Sequence, residues 1–98
     1  MLRHIVLWNL IEKEYEKQLE IKREIKRILE ELNGKIDGIL SINVYIDGIK
    51  ERNADVCLIV DCESKESFEY YLEHPLHKQC GLYIRPRVEN RMDFDFKL

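Results

Sequence analysis

The segment Leu2-Arg3-His4-Ile5-Val6-Leu7-Trp8-Asn9-Leu10 decides the fold, because it predicts a strand that is apolar on both of its faces. One face carries Leu2, His4, Val6, Trp8 and Leu10. Ile5 and Leu7 give the opposite face an apolar centre. A strand of this kind is stable only where both faces of its sheet are covered.

A long amphipathic helix is predicted after this strand. Between Lys13 and Asn33, apolar residues recur at intervals of three and four, with Lys, Arg and Glu between them. Asn33-Gly34 is typical of a left-handed helix end, and residues 35–38 predict a turn. Two further strands are predicted at Ile39–Ile46 and Ala54–Cys62, joined by a polar loop, and the second is again apolar on both faces.

The C-terminal third predicts a broken helix and a last strand. Ser64 is a good N-cap for a short helix, which should end before Pro75. Pro75 can open another helical turn that runs to about Gly81 or Tyr83. The last strand alternates with period two, so one face is predicted to carry Val88, Asn90, Met92, Phe94 and Phe96.

The element order β-α-β-β-α-β predicts one ferredoxin-like α+β domain over residues 1–98, with a four-stranded antiparallel sheet. Both helices of this arrangement lie on one face of the sheet. The other face would be a large bare apolar patch, beyond what monomers usually expose. We therefore expect two copies to pack sheet against sheet as a barrel-like homodimer.

Composition excludes several classes of partner. The 98 residues carry a net charge of −3, with no basic excess for binding nucleic acid. The apolar N-terminal stretch is too short for a membrane span and lacks the cleavage site of a signal peptide, so neither a membrane nor secretion is expected. The three cysteines have no CxxC spacing, which favours buried free thiols in a reducing cytoplasm over a disulfide or a zinc knuckle.

The most unusual local feature is His74-Pro75-Leu76-His77. Two histidines three residues apart could share a metal ion, but no carboxylate stands at ligand spacing and no metal site is expected. They either cap and pack the helix junction or place a general base or hydrogen-bonding group in a pocket.

His4 and Tyr71 are further candidates for chemistry. His4 is either a satisfied core histidine or a proton-transfer group that lines a cavity. Tyr71 is either a packing aromatic or a proton donor to a developing oxyanion. Six helical residues amount to roughly 240° of rotation, so Tyr71 meets His77 only if Pro75 redirects the chain.

At these residues the sequence resembles the stress-responsive A/B barrel domain family, the dimeric α/β-barrel (Dabb) proteins. The most specific part of the resemblance is the HPxH segment together with a histidine in the N-terminal strand. The matching pieces are Leu2–Trp8, Asp37–Ile39, Asn53–Val56, Tyr71 with His74–His77, and Arg91–Phe94. The resemblance implies a ferredoxin-like fold and a barrel-forming homodimer. We expect no cofactor.

Most members of that family have no assigned activity, and three alternatives stay open. The first is a stress-associated homodimer that binds a small, partly apolar molecule in a cavity beside the sheet. The expected pocket residues are His4, Trp8, Tyr71, His74 and His77. The second follows a plant branch that contains a polyketide cyclase, which performs a cofactor-free aldol condensation. Carried over, His77 would be the general base, Tyr71 the oxyanion donor and His4 a further polar group. The third is a haem or quinol monooxygenase-like enzyme, because such proteins share the dimeric barrel.

Overall fold

The computed structural model of the protein describes residues 1–98 and has the predicted element order, with the second helix divided in two. The elements are β1 Leu2–Leu10, α1 Tyr15–Glu30, β2 Ile39–Tyr45, β3 Val56–Cys62, α2 Lys65–Glu73, α3 Pro75–Ile84 and β4 Val88–Lys97, with a short 3-10 turn at Arg85–Arg87. No helix is both long enough and apolar enough to span a membrane.

The strands form one antiparallel sheet in the order β2-β3-β1-β4. The core lies between the helices and one face of this sheet. Alternate residues of β1 and β3 supply that face, for example Val6, Leu58 and Val60, and α1 packs Ile25 and Leu29 against it. The predicted ferredoxin-like α+β fold is confirmed.

The opposite surface of the sheet, which we call the open face, carries no helix. In strand order its residues form three rows: Tyr45, Cys57, Leu7 and Met92; then Asn43, Ile59, Ile5 and Phe94; then Ser41, Asp61, Arg3 and Phe96. Tyr45, Met92 and Phe94 are each more than half exposed. The open face is therefore an apolar surface with polar groups at one end and one edge.

Strand β4 departs from the predicted alternation at Asn90. This residue has φ +54°, and the register of β1 against β4 shifts between Leu7 and Asn9. Val88 pairs with Leu10 on the helix side, whereas Met92 pairs with Leu7 on the open face. The expectation of one continuous apolar face was wrong, because the irregularity moves the residues after it to the other side of the sheet.

Helix α1 ends at Glu30, three residues before the predicted end at Asn33. The Asn33 side chain instead holds the free edge of β2: its Oδ1 accepts from the Ile42 N–H at 2.8 Å and its Nδ2 donates to the Ile42 carbonyl at 2.9 Å. One residue pair further along, the Val44 N–H donates to Glu30 and the Val44 carbonyl accepts from Lys26. Side chains at the end of α1 and in the turn after it thereby satisfy an edge that would otherwise be open for pairing.

Candidate functional site

A cavity of about 370 Å³ lies between the helix-covered face of the sheet and helices α2 and α3. We call it the sheet–helix cavity. Most of its wall is apolar, with Val6 and Trp8 from β1, Leu58 from β3 and Ile84 from α3. Its polar side chains are His4, Tyr71, His77, Arg85 and Arg91. An apolar cavity with a few convergent polar groups is the usual form of a small-molecule site.

The helix break at His74 brings Tyr71 and His77 together. His74 has extended backbone angles (φ −67°, ψ 136°), and Pro75 begins α3 in a new direction. The ring centroids of Tyr71 and His77 are 4.4 Å apart as a result. The chain therefore changes direction at Pro75, as the sequence analysis required for Tyr71 to meet His77.

His77 is held in one tautomer. Its Nδ1 lies 3.1 Å from the Leu72 carbonyl, which can only accept a hydrogen bond, so Nδ1 carries the proton. In the neutral ring, Nε2 is then the basic nitrogen. Burial lowers the pKa of His77, and the charges of His4, Arg85 and Arg91 lower it further, while the bond to Leu72 acts in the opposite direction. His77 is consequently a neutral imidazole at pH 7, with a lone pair available.

Tyr71 has a hydroxyl with no hydrogen-bond partner in the protein, although the residue is fully buried. A buried unpaired hydroxyl costs roughly 1–3 kcal/mol relative to a paired one. Burial also raises the pKa of Tyr71, so the hydroxyl stays protonated as a donor. An acceptor on a bound molecule would satisfy this group.

His4 is 3% exposed and forms a pair with Asp95 through Nδ1. The register of β1 against β4 places these residues opposite each other on the helix side of the sheet. The carboxylate accepts from Nδ1–H and so fixes the tautomer of His4, while the ring packs against Phe68 with centroids 4.7 Å apart. The sequence did not indicate Asp95 as a site residue. Its position opposite His4 depends on the register between β1 and β4, which hydrophobic periodicity does not determine.

The structure therefore brings together His4, Trp8, Tyr71 and His77 in one cavity, but not His74. The His74 ring caps α3 instead: Nδ1 accepts from the Leu76 N–H at 3.1 Å, and Tyr70 packs edge-on against the ring. Because His74 caps α3, its side chain does not line the cavity. The expectation that His74 is a pocket residue is therefore corrected. No group of three His, Cys, Asp or Glu side chains is placed to hold a metal ion.

Arg85 and Arg91 are cavity residues that the sequence did not single out. Arg85 follows α3, and Arg91 follows the irregularity in β4. Both are exposed, unlike most of the cavity wall, so they lie at its opening. Cys80 lines the same cavity as a free thiol, and burial raises its pKa.

The fold and this cavity define a small ferredoxin-like domain with a polar-tipped pocket between its sheet and helices. The model of the stress responsive A/B barrel domain (Dabb) family matches residues 2–98. The chain belongs to that family. Among curated protein sequences, none matches this chain.

Solved structures share the fold. A dimeric protein of unknown function with a ferredoxin-like fold from Bacteroides fragilis NCTC 9343 is 24% identical, with a TM-score of 0.89 over 99% of this chain and 95% of that chain. A dimeric ferredoxin-like protein of unknown function from Thermobifida fusca YX is 24% identical, with a TM-score of 0.83 over 99% of this chain and 90% of that chain. The hydroxynitrile lyase of Passiflora edulis is 15% identical, with a TM-score of 0.76 over 97% of this chain and 90% of that chain.

Proposed function

We propose that this protein is a homodimer, formed through the open face, that binds a small, partly apolar molecule in the sheet–helix cavity. The observation that carries the binding proposal is the convergence of His4, Tyr71 and His77 on one largely apolar cavity. The unpaired Tyr71 hydroxyl supports it, because a ligand oxygen would supply the acceptor that the protein lacks.

The homodimer is supported by the open face. Met92 and Phe94 are 68% and 69% exposed, next to the apolar side chains of Ile5 and Leu7 in β1. A second copy presents the same surface, and two sheets pack face to face at a separation of about 10 Å. Two proteins of the same fold, from Bacteroides fragilis and Thermobifida fusca, are described as dimeric.

A second candidate function, cofactor-free proton transfer at a carbonyl compound, is favoured by the state of His77. Its Nε2 is a free base near neutral pH, and the Tyr71 hydroxyl lies on the neighbouring ring. Nε2 of His77 would remove a proton next to the carbonyl, and Tyr71 would donate a hydrogen bond to the enolate oxygen that forms. In an aldol cyclisation the enolate carbon attacks a second carbonyl, and imidazolium returns the proton to the new alkoxide.

Binding and proton transfer can be separated with one neutral probe, 2-octanone. We expect the wild-type protein to bind it with NMR shift changes at Tyr71 and His77, and to accelerate exchange of its α-protons with D2O. His77→Gln should abolish the acceleration.

The matched control is His74→Asn, which changes the neighbouring histidine but keeps an N-cap oxygen for α3. It should bind and exchange like the wild type. Equal exchange rates for wild type and His77→Gln would remove the proton-transfer candidate, and absence of any binding at the cavity would overturn the proposed function itself.

A further inference from the structure

The charged residues that line the sheet–helix cavity are basic, although the protein is acidic as a whole. The chain has 19 acidic against 16 basic residues, yet no Asp or Glu is among the residues that line this cavity. Two guanidinium groups, those of Arg85 and Arg91, do line it. This local excess runs against the net charge of −3.

The two arginines differ in how they are paired. Arg91 contacts the Asp93 carboxylate at 3.1 Å, with both side chains about half exposed. Arg85 makes no ion pair, and its guanidinium lies close over Gly81, where an added Cβ would come within 3.4 Å of Cζ. Asp95, on the same face of β4 as Asp93, pairs with His4. The Arg85 guanidinium at the opening is thus left without a carboxylate partner.

The Arg85 guanidinium lies near the other polar groups of the cavity. Arg85 and Arg91 are close enough for their charges to disfavour protonation of His77. The Tyr71 hydroxyl, buried and without a partner, is a further donor in the same space. Donors therefore outnumber acceptors around an apolar interior that contains Trp8 and Leu58.

We infer that the ligand of this cavity is an amphipathic monocarboxylic acid, whose carboxylate is bound at the opening by Arg85 with help from Arg91, and whose apolar part lies inside against Trp8 and Leu58. A guanidinium matches the geometry of a carboxylate with two parallel hydrogen bonds. One guanidinium without a carboxylate partner suits a monoanion better than a dianionic phosphate. This inference rests on the proposed function, because it names the chemical class of the molecule that the cavity binds.

The test compares octanoate with 2-octanone, which has the same number of carbons and no charge, by calorimetric or NMR titration. Wild-type protein should bind octanoate on the order of tenfold more tightly, as expected for one partly exposed charge-assisted contact. Arg85→Gln should remove most of that preference, Arg85→Lys should retain part of it, and Arg91→Gln should have a smaller effect because Asp93 already shares that charge.

Arg52→Gln is the matched control, since it removes the same charge from an exposed loop away from the cavity. It should leave both affinities unchanged. If 2-octanone binds and octanoate binds no more tightly, or if Arg85→Gln leaves the preference intact, the carboxylate inference is overturned while the proposed function stands. If neither probe binds at the cavity, the proposed function fails, and this inference fails with it.

Discussion

Phe94 offers the sharpest test of the proposed homodimer. It occupies the middle row of the open face, beside Ile5, and is 69% exposed in the single chain. A phenylalanine has roughly 200 Å² of surface to bury, so about 140 Å² remains exposed in the single chain. At about 25 cal/mol per Å², covering this area stabilises a dimer by about 3.5 kcal/mol per copy, or about 7 kcal/mol in total.

Phe94→Glu should therefore raise the dissociation constant of the dimer on the order of 10⁵-fold. Sedimentation equilibrium at micromolar concentration should show a dimer for the wild type and a monomer for the variant. The variant should still fold, because position 94 is mostly exposed in the single chain, and its circular dichroism should match that of the wild type.

Leu82→Glu is the control for this experiment. Leu82 lies on α3, is 75% exposed and does not belong to the open face, so the same change of charge there should leave the dimer intact. A wild-type monomer at micromolar concentration, or a Phe94→Glu protein that remains dimeric, would refute the assignment of the open face as the interface.

Three further predictions concern the cavity. Tyr71→Phe should raise the free energy of unfolding by about 1–3 kcal/mol, because it removes a buried hydroxyl that has no partner in the protein. The exposed Tyr70→Phe is the control, and a clear loss of stability in urea titrations would contradict the unpaired state. His77 has a lowered pKa through burial, so it contributes stability that is present above its ordinary value of about 6.5 and is lost as the pH falls through the folded-state value. The free energy of unfolding of the wild type, measured by urea titration, should thus fall more steeply than that of His77→Gln between pH 7 and pH 5. Parallel curves of this free energy against pH would rule this out. Asp95→Asn should mix the tautomers of His4, because an amide can both donate and accept; unchanged imidazole ¹⁵N shifts would show that Asp95 does not fix the ring.

Local patterns were sufficient for the fold. Alternation in β1 predicted a strand with two apolar faces, and the structure buries one of them and leaves Ile5 and Leu7 on the open face. The break at Pro75 follows from the sterics of the residue before a proline, and it is what brings Tyr71 to His77. These features depend only on neighbours in sequence.

Features that depend on pairing between distant segments could not be predicted. The irregularity at Asn90 changes which side of the sheet each later residue of β4 occupies, and no composition signal marked it. Because the sequence does not reveal that shift, the position of Asp95 opposite His4 could not be derived from it. Arg85 and Arg91 were missed for a related reason, since their place at the cavity opening depends on how α3 and β4 meet across the sheet.

Strands β1 and β4 contribute residues both to the open face and to the sheet–helix cavity. In β4, Phe94 on the open face stands next to Asp95, which holds His4 at the cavity. β4 is an edge strand that pairs only with β1, and its central residues are exposed in the single chain. Packing of a second copy against Phe94 would restrict the same strand that carries Asp95. In the proposed homodimer, alternate residues of one strand therefore serve both the interface and the cavity.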